Sequence, residues 1–183
     1  MIKRRELHEC GHLFEYISHP SVFPYVRQKA KSAEEFMFLT KKLMEEEERG
    51  EVISRTITDD YGQPIGTINL YDIQDQAGFL GTWIGQPFQG KGFNLKAKNL
   101  FLEELFYQHN INTVFLRINS KNAKSIRATE KLAYTMCAKD THPELLKEIN
   151  SGAIQYELYQ IPKDLFYLST AAARFTDEEE QAM

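Results

Sequence analysis

Cysteine is scarce in this chain. Cys10 and Cys137 are the only two in 183 residues, too few for the disulfide framework of a small secreted domain, so a reducing, cytoplasmic setting is the default. Long apolar runs are missing too, which leaves nothing to cross a bilayer. A secretory signal is not expected either: Met1-Ile2-Lys3-Arg4-Arg5 is basic, but Glu6, His8 and Glu9 stand where an apolar region is needed. Positive charge is in short supply, with 22 Lys+Arg against 26 Asp+Glu and a net charge of −4. That balance speaks against a general nucleic-acid binder, which needs a basic face. It is compatible with a cationic partner such as an amine, or with solubility alone. Internal repeats and linkers are also absent, so one domain over residues 1–183 is expected.

Several catalytic groupings are missing as well. No Ser/His/Asp arrangement stands out. His8 and His12 are four apart on a predicted helix, with Cys10 between them on another face, but no third ligand accompanies them and no metal site is expected.

What the chain does contain is a change of texture at Gly50. Before it, Leu7, Cys10, Phe14 and Ile17 recur at helical spacing over residues 6–18, and His19-Pro20 ends that helix. Ser32-Ala33-Glu34-Glu35 is a capping box that opens a second helix with Phe36, Leu39, Leu43 and Met44 on its apolar stripe. After Gly50, residues 52–58, 65–71 and 77–84 read as strands joined by turns at 59–64 and 72–76, an antiparallel meander. A helix over 93–109 and a strand over 113–118 follow, and the crossover makes that strand parallel to residues 77–84. A helix over 123–132, a strand over 134–138, a short helix over 143–149 and a last strand over 153–161 complete the pattern. Beyond Pro162, residues 164–174 suit a helix and Asp177 to Glu180 a frayed acidic tail. The expected class is α+β, three-layer αβα, with a mixed, mostly antiparallel central sheet and one parallel pair.

Between the third strand and the long helix lies Trp83-Ile84-Gly85-Gln86-Pro87-Phe88-Gln89-Gly90-Lys91-Gly92-Phe93-Asn94. Glycines at the start of a helix let several backbone N–H groups converge on one point, where the helix dipole favours an anion. Gly85-x-x-x-x-Gly90-Lys91-Gly92 imitates a P-loop, but Gly92 occupies the place of the magnesium-binding hydroxyl. Gly90-x-Gly92 lacks the third glycine of a dinucleotide fingerprint. An ordinary strand-to-helix turn with a solvated lysine is also consistent with these residues alone.

A third reading comes from two motifs together. Gln89-Gly90-Lys91-Gly92-Phe93-Asn94 fits [QR]-x-x-G-x-[GA] except at its last position. Asn122-Ala123-Lys124-Ser125-Ile126-Arg127-Ala128-Thr129-Glu130-Lys131-Leu132-Ala133-Tyr134 follows N-x-x-S-x-x-x-x-E-K-L-G-F, with Ala-Tyr for the final Gly-Phe. Trp83-Ile84-Gly85 matches the W-I-G that ends the central strand of the same group. The chain thus resembles the GNAT family of acetyl-CoA-dependent N-acetyltransferases, and within it the RimJ/RimL-like branch. The resemblance covers roughly residues 32–161. A first strand, usual in the family, is absent or reduced to Ile2-Lys3-Arg4.

The resemblance implies a site. Backbone N–H groups from Gln89 through Gly90, Lys91, Gly92 and Phe93 to Asn94 would hold the coenzyme A pyrophosphate. Trp83, Ile84 and Gly85, where the parallel pair splays, would pair with the pantetheine arm, with an N–H near Ile84 as oxyanion donor. A lone Trp in an apolar strand is equally a core residue. Asn122 would contact the pantetheine, and it suits a helix N-cap as well. Ser125 and Lys124 would face the coenzyme or solvent, and Lys131 its adenosine end or solvent. The usual catalytic Glu and Tyr fall on Phe79 and Thr129. Tyr71, Asp72, Tyr156 and Glu157 are replacement candidates, none of them assigned, and transfer through water and positioning is the alternative. The implied activity is transfer of an acetyl group from acetyl-CoA to a primary amine: a protein N-terminus, a polyamine, an amino-acid derivative or an antibiotic. An acyl-CoA-binding regulatory protein without turnover is the rival. Cys137 reads as a buried structural thiol. The apolar residues beyond Pro162 suit a homodimer contact or closure over the cleft.

Overall fold

The computed structural model describes residues 1–181, with side chains through Ala172. They fall into two units, Met1–Asn110 and the described residues from Ile111 onward. Among the described residues no helix is long and apolar enough to cross a membrane.

In the first unit, β1 (Ile2–Arg4), β2 (Ile53–Thr58), β3 (Pro64–Gln74) and β4 (Ala77–Ile84) pair antiparallel in that order. The first strand is the reduced one, three residues long. The turn read over 72–76 is tighter than expected. Gln74 pairs with Ala77, so only Asp75 and Gln76 form the loop, both with positive φ (49° and 62°), as a two-residue type I′ hairpin requires. Asp72 also has positive φ (54°), where the register shifts after Tyr71. That bulge lets β3 run three residues beyond its predicted end at Tyr71.

Strand alternation gives this sheet two buried faces. On one, Arg55 of β2 meets Glu104 of α3 (Phe93–Gln108), whose Ala97, Phe101, Leu102, Leu105 and Phe106 are buried. On the other, Thr56 donates to Glu9 and Trp83 packs on the cluster of Leu13, Ile17 and Phe36 from α1 (Cys10–Ile17) and α2 (Ala33–Glu48). The unit is therefore three layers, helix–sheet–helix. A fully buried Phe36 or Phe101 contributes roughly 1.5–3 kcal/mol by leaving water. The Ser32 cap forms as read, with Glu35 N–H donating to Ser32 Oγ at 3.2 Å, while the Glu35 carboxylate accepts from the N–H of Lys31, one residue before the N-cap, at 2.7 Å.

In the second unit β5 (Thr113–Asn119) and the two-residue β6 (Met136–Cys137) flank β7 (Tyr156–Pro162), all antiparallel. α4 (Ala123–Glu130), α5 (Pro143–Ile149) and α6 (Lys163–Gln181) complete it. Three expectations are corrected here. The strand read over 134–138 shrinks to Met136–Cys137: Tyr134 instead packs on Phe166 with ring centroids 5.2 Å apart. Thr135 Oγ1 donates to the carbonyls of Thr129 and Leu132, at 2.7 and 3.0 Å. Cys137 is exposed, not buried, because that strand lies at the edge beside β7. The last helix does not stop at 174 and leave a frayed tail: its backbone is helical to Gln181. No Gly or Pro follows Lys163, and Ala171-Ala172-Ala173 are strong helix formers.

Candidate functional site

β4 ends at Ile84 because Gln86-Pro87-Phe88 turns as one 3-10 turn. Gln89 is extended again, and Gly90 and Gly92 both adopt left-handed φ, 78° and 83°. Nothing lies within 4 Å of a Cβ built at either glycine. Gly92 is the N-cap of α3, and its carbonyl accepts from Lys96 N–H at 3.1 Å. No side chain caps this helix, so the N–H groups of its first turn have no capping partner. Lys91 is exposed, its ammonium 5.7 Å from the ring centroid of Phe88. The arrangement fits a phosphate group: idle donors, a positive helix end and room for an approaching ligand.

The turn is held in place from behind. Tyr16 meets Phe88 edge-on at 5.5 Å, and Phe88 meets Phe93 at 6.3 Å. The side-chain amide of Gln89 donates to the carbonyl of Ile84 at 2.9 Å, and its own N–H donates to Gln86 O at 3.2 Å. Gln89 therefore braces the turn, while the glycines and the start of α3 present the open donors.

Strand alternation also sets the direction of β4. Gly85 N–H donates to Ile65 O at 2.8 Å, which turns the N–H and C=O of Ile84 away from β3. The Trp83 side chain lies in the cluster of α1 and α2, so its core role holds. Thus Trp83, Ile84, Gly85 and Gln89 to Asn94 are together in one strand and turn of the first unit. Asn122 and Ser125 lie together in the second, at the start of α4. There Asn122 is the N-cap: its Oδ1 accepts from Ser125 N–H at 3.2 Å.

At the expected positions for a catalytic acid and base, Phe79 pairs across the strands with Tyr71, and Thr129 is buried. Tyr71 lays its ring over β4, with Cε2 3.0 Å from a Cβ built at Gly81. Burial pushes its phenol up to about 12, against the pull of Arg27 and Arg5. At neutral pH Tyr71 can donate a proton-bearing hydrogen bond but is no base. Asp72 is held by Arg27, Tyr156 lies beneath Arg117, and Glu157 is exposed on β7.

Besides Arg55, two buried cations escaped the sequence reading. Lys98 of α3 is 8% exposed, and burial draws its ammonium down to about 8. Its spacing with Phe101, Leu102 and Leu105 places it on the apolar stripe, a signal visible in the sequence. Arg5 is 4% exposed, with Nε and Nη1 lacking partners. His8 and His12 are not brought together: His12 packs edge-on against Tyr16, whereas His8 lies with Glu6 and Glu9, their ligand atoms within 4.8 Å of one another and both carboxylates paired with Lys3.

Comparison with known proteins now defines the class. The family model described as the acetyltransferase (GNAT) domain matches residues 3–135, well over half of the chain, and the protein belongs to that family. Solved structures agree on the fold. A spermidine N-acetyltransferase from Vibrio cholerae, in complex with CoA and spermine, has a TM-score of 0.72 at 14% identity, covering 91% of this chain and 97% of that one. FdhC, described as a nucleotide-linked sugar GNAT without ligand, gives 0.74 at 15% identity, covering 94% and 92%. A ribosomal-protein-S5-alanine acetyltransferase from Vibrio fischeri gives 0.69 at 15%, covering 89% and 92%. The mixed α+β fold is the one the motifs implied. That fold also excludes the P-loop reading, because antiparallel strands β2 to β4 precede the turn. No curated protein matches the chain in sequence.

Proposed function

We propose that this protein is an acetyl-CoA-dependent N-acetyltransferase of the RimJ/RimL-like branch, acting on a primary amine in the cytoplasm, with residues 1–183 as one functional domain. The carrying observation is the uncapped start of α3 behind two left-handed glycines with open space before them. In this reading Gly90, Lys91, Gly92, Phe93 and Asn94 bind the pyrophosphate. Gln89 fixes the turn against Ile84. Trp83, Ile84 and Gly85 line the pantetheine arm, with Ile84 N–H as the donor to the thioester carbonyl. Asn122 and Ser125 enter on their motif. Acetyl-CoA supplies the activated acyl group as a thioester. A neutral amine attacks the thioester carbonyl directly, the amide C–N bond forms as the C–S bond breaks, and CoA leaves as the thiol; because Phe79 and Thr129 carry no ionisable group, water carries the proton from the amine nitrogen to the departing sulfur and positioning does much of the work.

Isothermal titration with acetyl-CoA tests the reading, and absence of binding at millimolar concentration overturns it. A screen of amines that follows thiol release tests the chemistry. Phe79 and Thr129 also support a second reading, an acyl-CoA-binding protein without turnover, and binding with no turnover on any amine favours it. A homodimer through α6 is part of the proposal. Phe166 is buried, so Leu168→Asp at a residue 70% exposed is a better test than truncation; an unchanged mass in solution removes that contact.

A further inference from the structure

Strand alternation puts Phe79, Gly81 and Trp83 of β4 on the face that carries α1 and α2. Helix α3, whose start is the proposed pyrophosphate site, packs on the opposite face. A coenzyme held from the α3 side leaves the Phe79–Gly81–Trp83 face for the amine. The proposed thioester donor, Ile84, follows directly after Trp83.

Residues 26–30, between α1 and α2, lie on that same face with little backbone support. Among the described residues they form no hydrogen bond to another backbone group. Side chains hold them instead. Val26 and Ala30 sink into the cluster on which Trp83 packs. Between them Arg27 crosses to the sheet, where it forks onto Asp72 with two 2.8 Å bonds and lies 4.4 Å over the ring of Tyr71. Tyr71 pairs with Phe79, and its ring comes within 3.0 Å of a Cβ built at Gly81. One stack thus joins the segment to β4: Arg27, then Tyr71, then Gly81. Asp72 is presented to it by the bulge after Tyr71, at a φ of 54° that aspartate and asparagine tolerate better than most residues.

The Arg27–Asp72 pair is half exposed, at 40% and 49% for the two side chains. A pair so placed adds little to global stability. It can still decide whether a segment without a backbone ladder stays down, because local opening needs far less free energy than unfolding.

Resting on the acetyltransferase reading above, we propose that Arg27 is a positioning residue for the acceptor amine: its clasp on Asp72 and Tyr71 latches residues 26–30 as a strap over the Phe79–Gly81–Trp83 face. Release of the clasp frees the strap and loosens the amine, while the coenzyme, held from the other face, is unaffected.

Asp72→Asn tests the latch, since asparagine suits the same backbone conformation and every basic residue of the strap is kept. Trypsin can cut after Arg27, Lys29 and Lys31. Cleavage there follows the population of the open strap. It should rise about two- to fivefold in the variant, the release expected from losing one exposed ion pair, with the urea midpoint close to that of the wild type. Trp83 is the only tryptophan, and acrylamide should quench it more readily in Asp72→Asn and Arg27→Gln. Arg27→Lys should lie between these and the wild type, because lysine keeps the charge but loses the fork and the planar stack. The probe amines are n-butylamine, lysine and spermidine. Their affinity, read as KM by thiol release and as Kd by calorimetry with CoA present, should weaken by a similar factor in Asp72→Asn, with acetyl-CoA affinity unchanged. Unchanged trypsin cleavage overturns the latch. Faster cleavage with unchanged amine affinity overturns its role in placing the acceptor. An equal loss of acetyl-CoA affinity, or a lowered urea midpoint, overturns it in favour of general loosening. Absence of acetyl-CoA binding by the wild type overturns the coenzyme reading, and the trypsin result then decides the latch by itself.

Discussion

Tyr16 stands where a side chain at residue 85 would have to go: its Cγ is 2.8 Å from a Cβ built at Gly85. The ring is fixed there by Phe88, and Phe88 by Phe93. Gly85→Ala should therefore displace Tyr16 and, through it, the whole turn. A destabilisation of about 1–3 kcal/mol is expected from overpacking, measured by urea unfolding. Acetyl-CoA affinity should fall with it in calorimetry; unchanged affinity would show that the aromatic stack does not position the turn.

Gly92 offers a cleaner probe of the anion site. Its φ of 83° should make Gly92→Ala cost about 1–2 kcal/mol in stability. Gly92→Glu carries the same strain but adds negative charge at the start of α3. Its acetyl-CoA affinity should fall at least about tenfold below that of the alanine variant. Equal affinity for the two variants would place the pyrophosphate elsewhere.

Lys98 makes a prediction about stability and pH. Its ammonium titrates near 8 when folded, against the ordinary 10.5. Between those values the unfolded chain binds more protons, so this residue makes stability rise with pH across that window and adds a constant penalty below it. Lys98→Met should raise stability at pH 7 by ~3 kcal/mol, since each pKa unit corresponds to 1.36 kcal/mol. The gain over the wild type should shrink as pH climbs from 8 to 10. A gain that is flat with pH would assign the effect to packing alone.

Arg55 links two helices through one buried guanidinium: Nη1 is 2.6 Å from Glu47 of α2, and Nε 2.9 Å from Glu104 of α3. Arg55→Met strands Glu47 and leaves Glu104 only His109 at 3.4 Å, and should cost about 3–5 kcal/mol at pH 7. The triple variant Arg55→Met, Glu47→Gln, Glu104→Gln should recover much of that loss in chemical unfolding. Failure to recover would show that the three side chains act independently.

Local patterns carried most of what the sequence revealed. The capping box at Ser32, the meander after Gly50 and the glycine turn each lie within a dozen residues, where period and turn chemistry act directly. Two motifs about thirty residues apart were enough to raise the family. The features that escaped are set by packing. The side chains of Arg5, Arg27 and Tyr71 meet from three distant parts of the chain, and no periodicity announces an arginine left with idle donors. Lys98 was legible but was passed over, because a lysine on an apolar stripe is usually discounted as polar. The Asp72 bulge and the short edge strand at Cys137 depended on register and neighbours, which strand propensity does not encode. The coenzyme end of the candidate site was thus readable from its own residues, and the acceptor end required the tertiary structure.

The two cysteines differ in a way that matters at the bench. Cys10 is 1% exposed and Cys137 is exposed on an edge strand. A maleimide dye offered to the native protein should attach at one position, with no cysteine-free background required. The same thiol can cross-link two molecules when a preparation ages in air. A doubled mass should therefore be tested with a reductant before it is credited to α6.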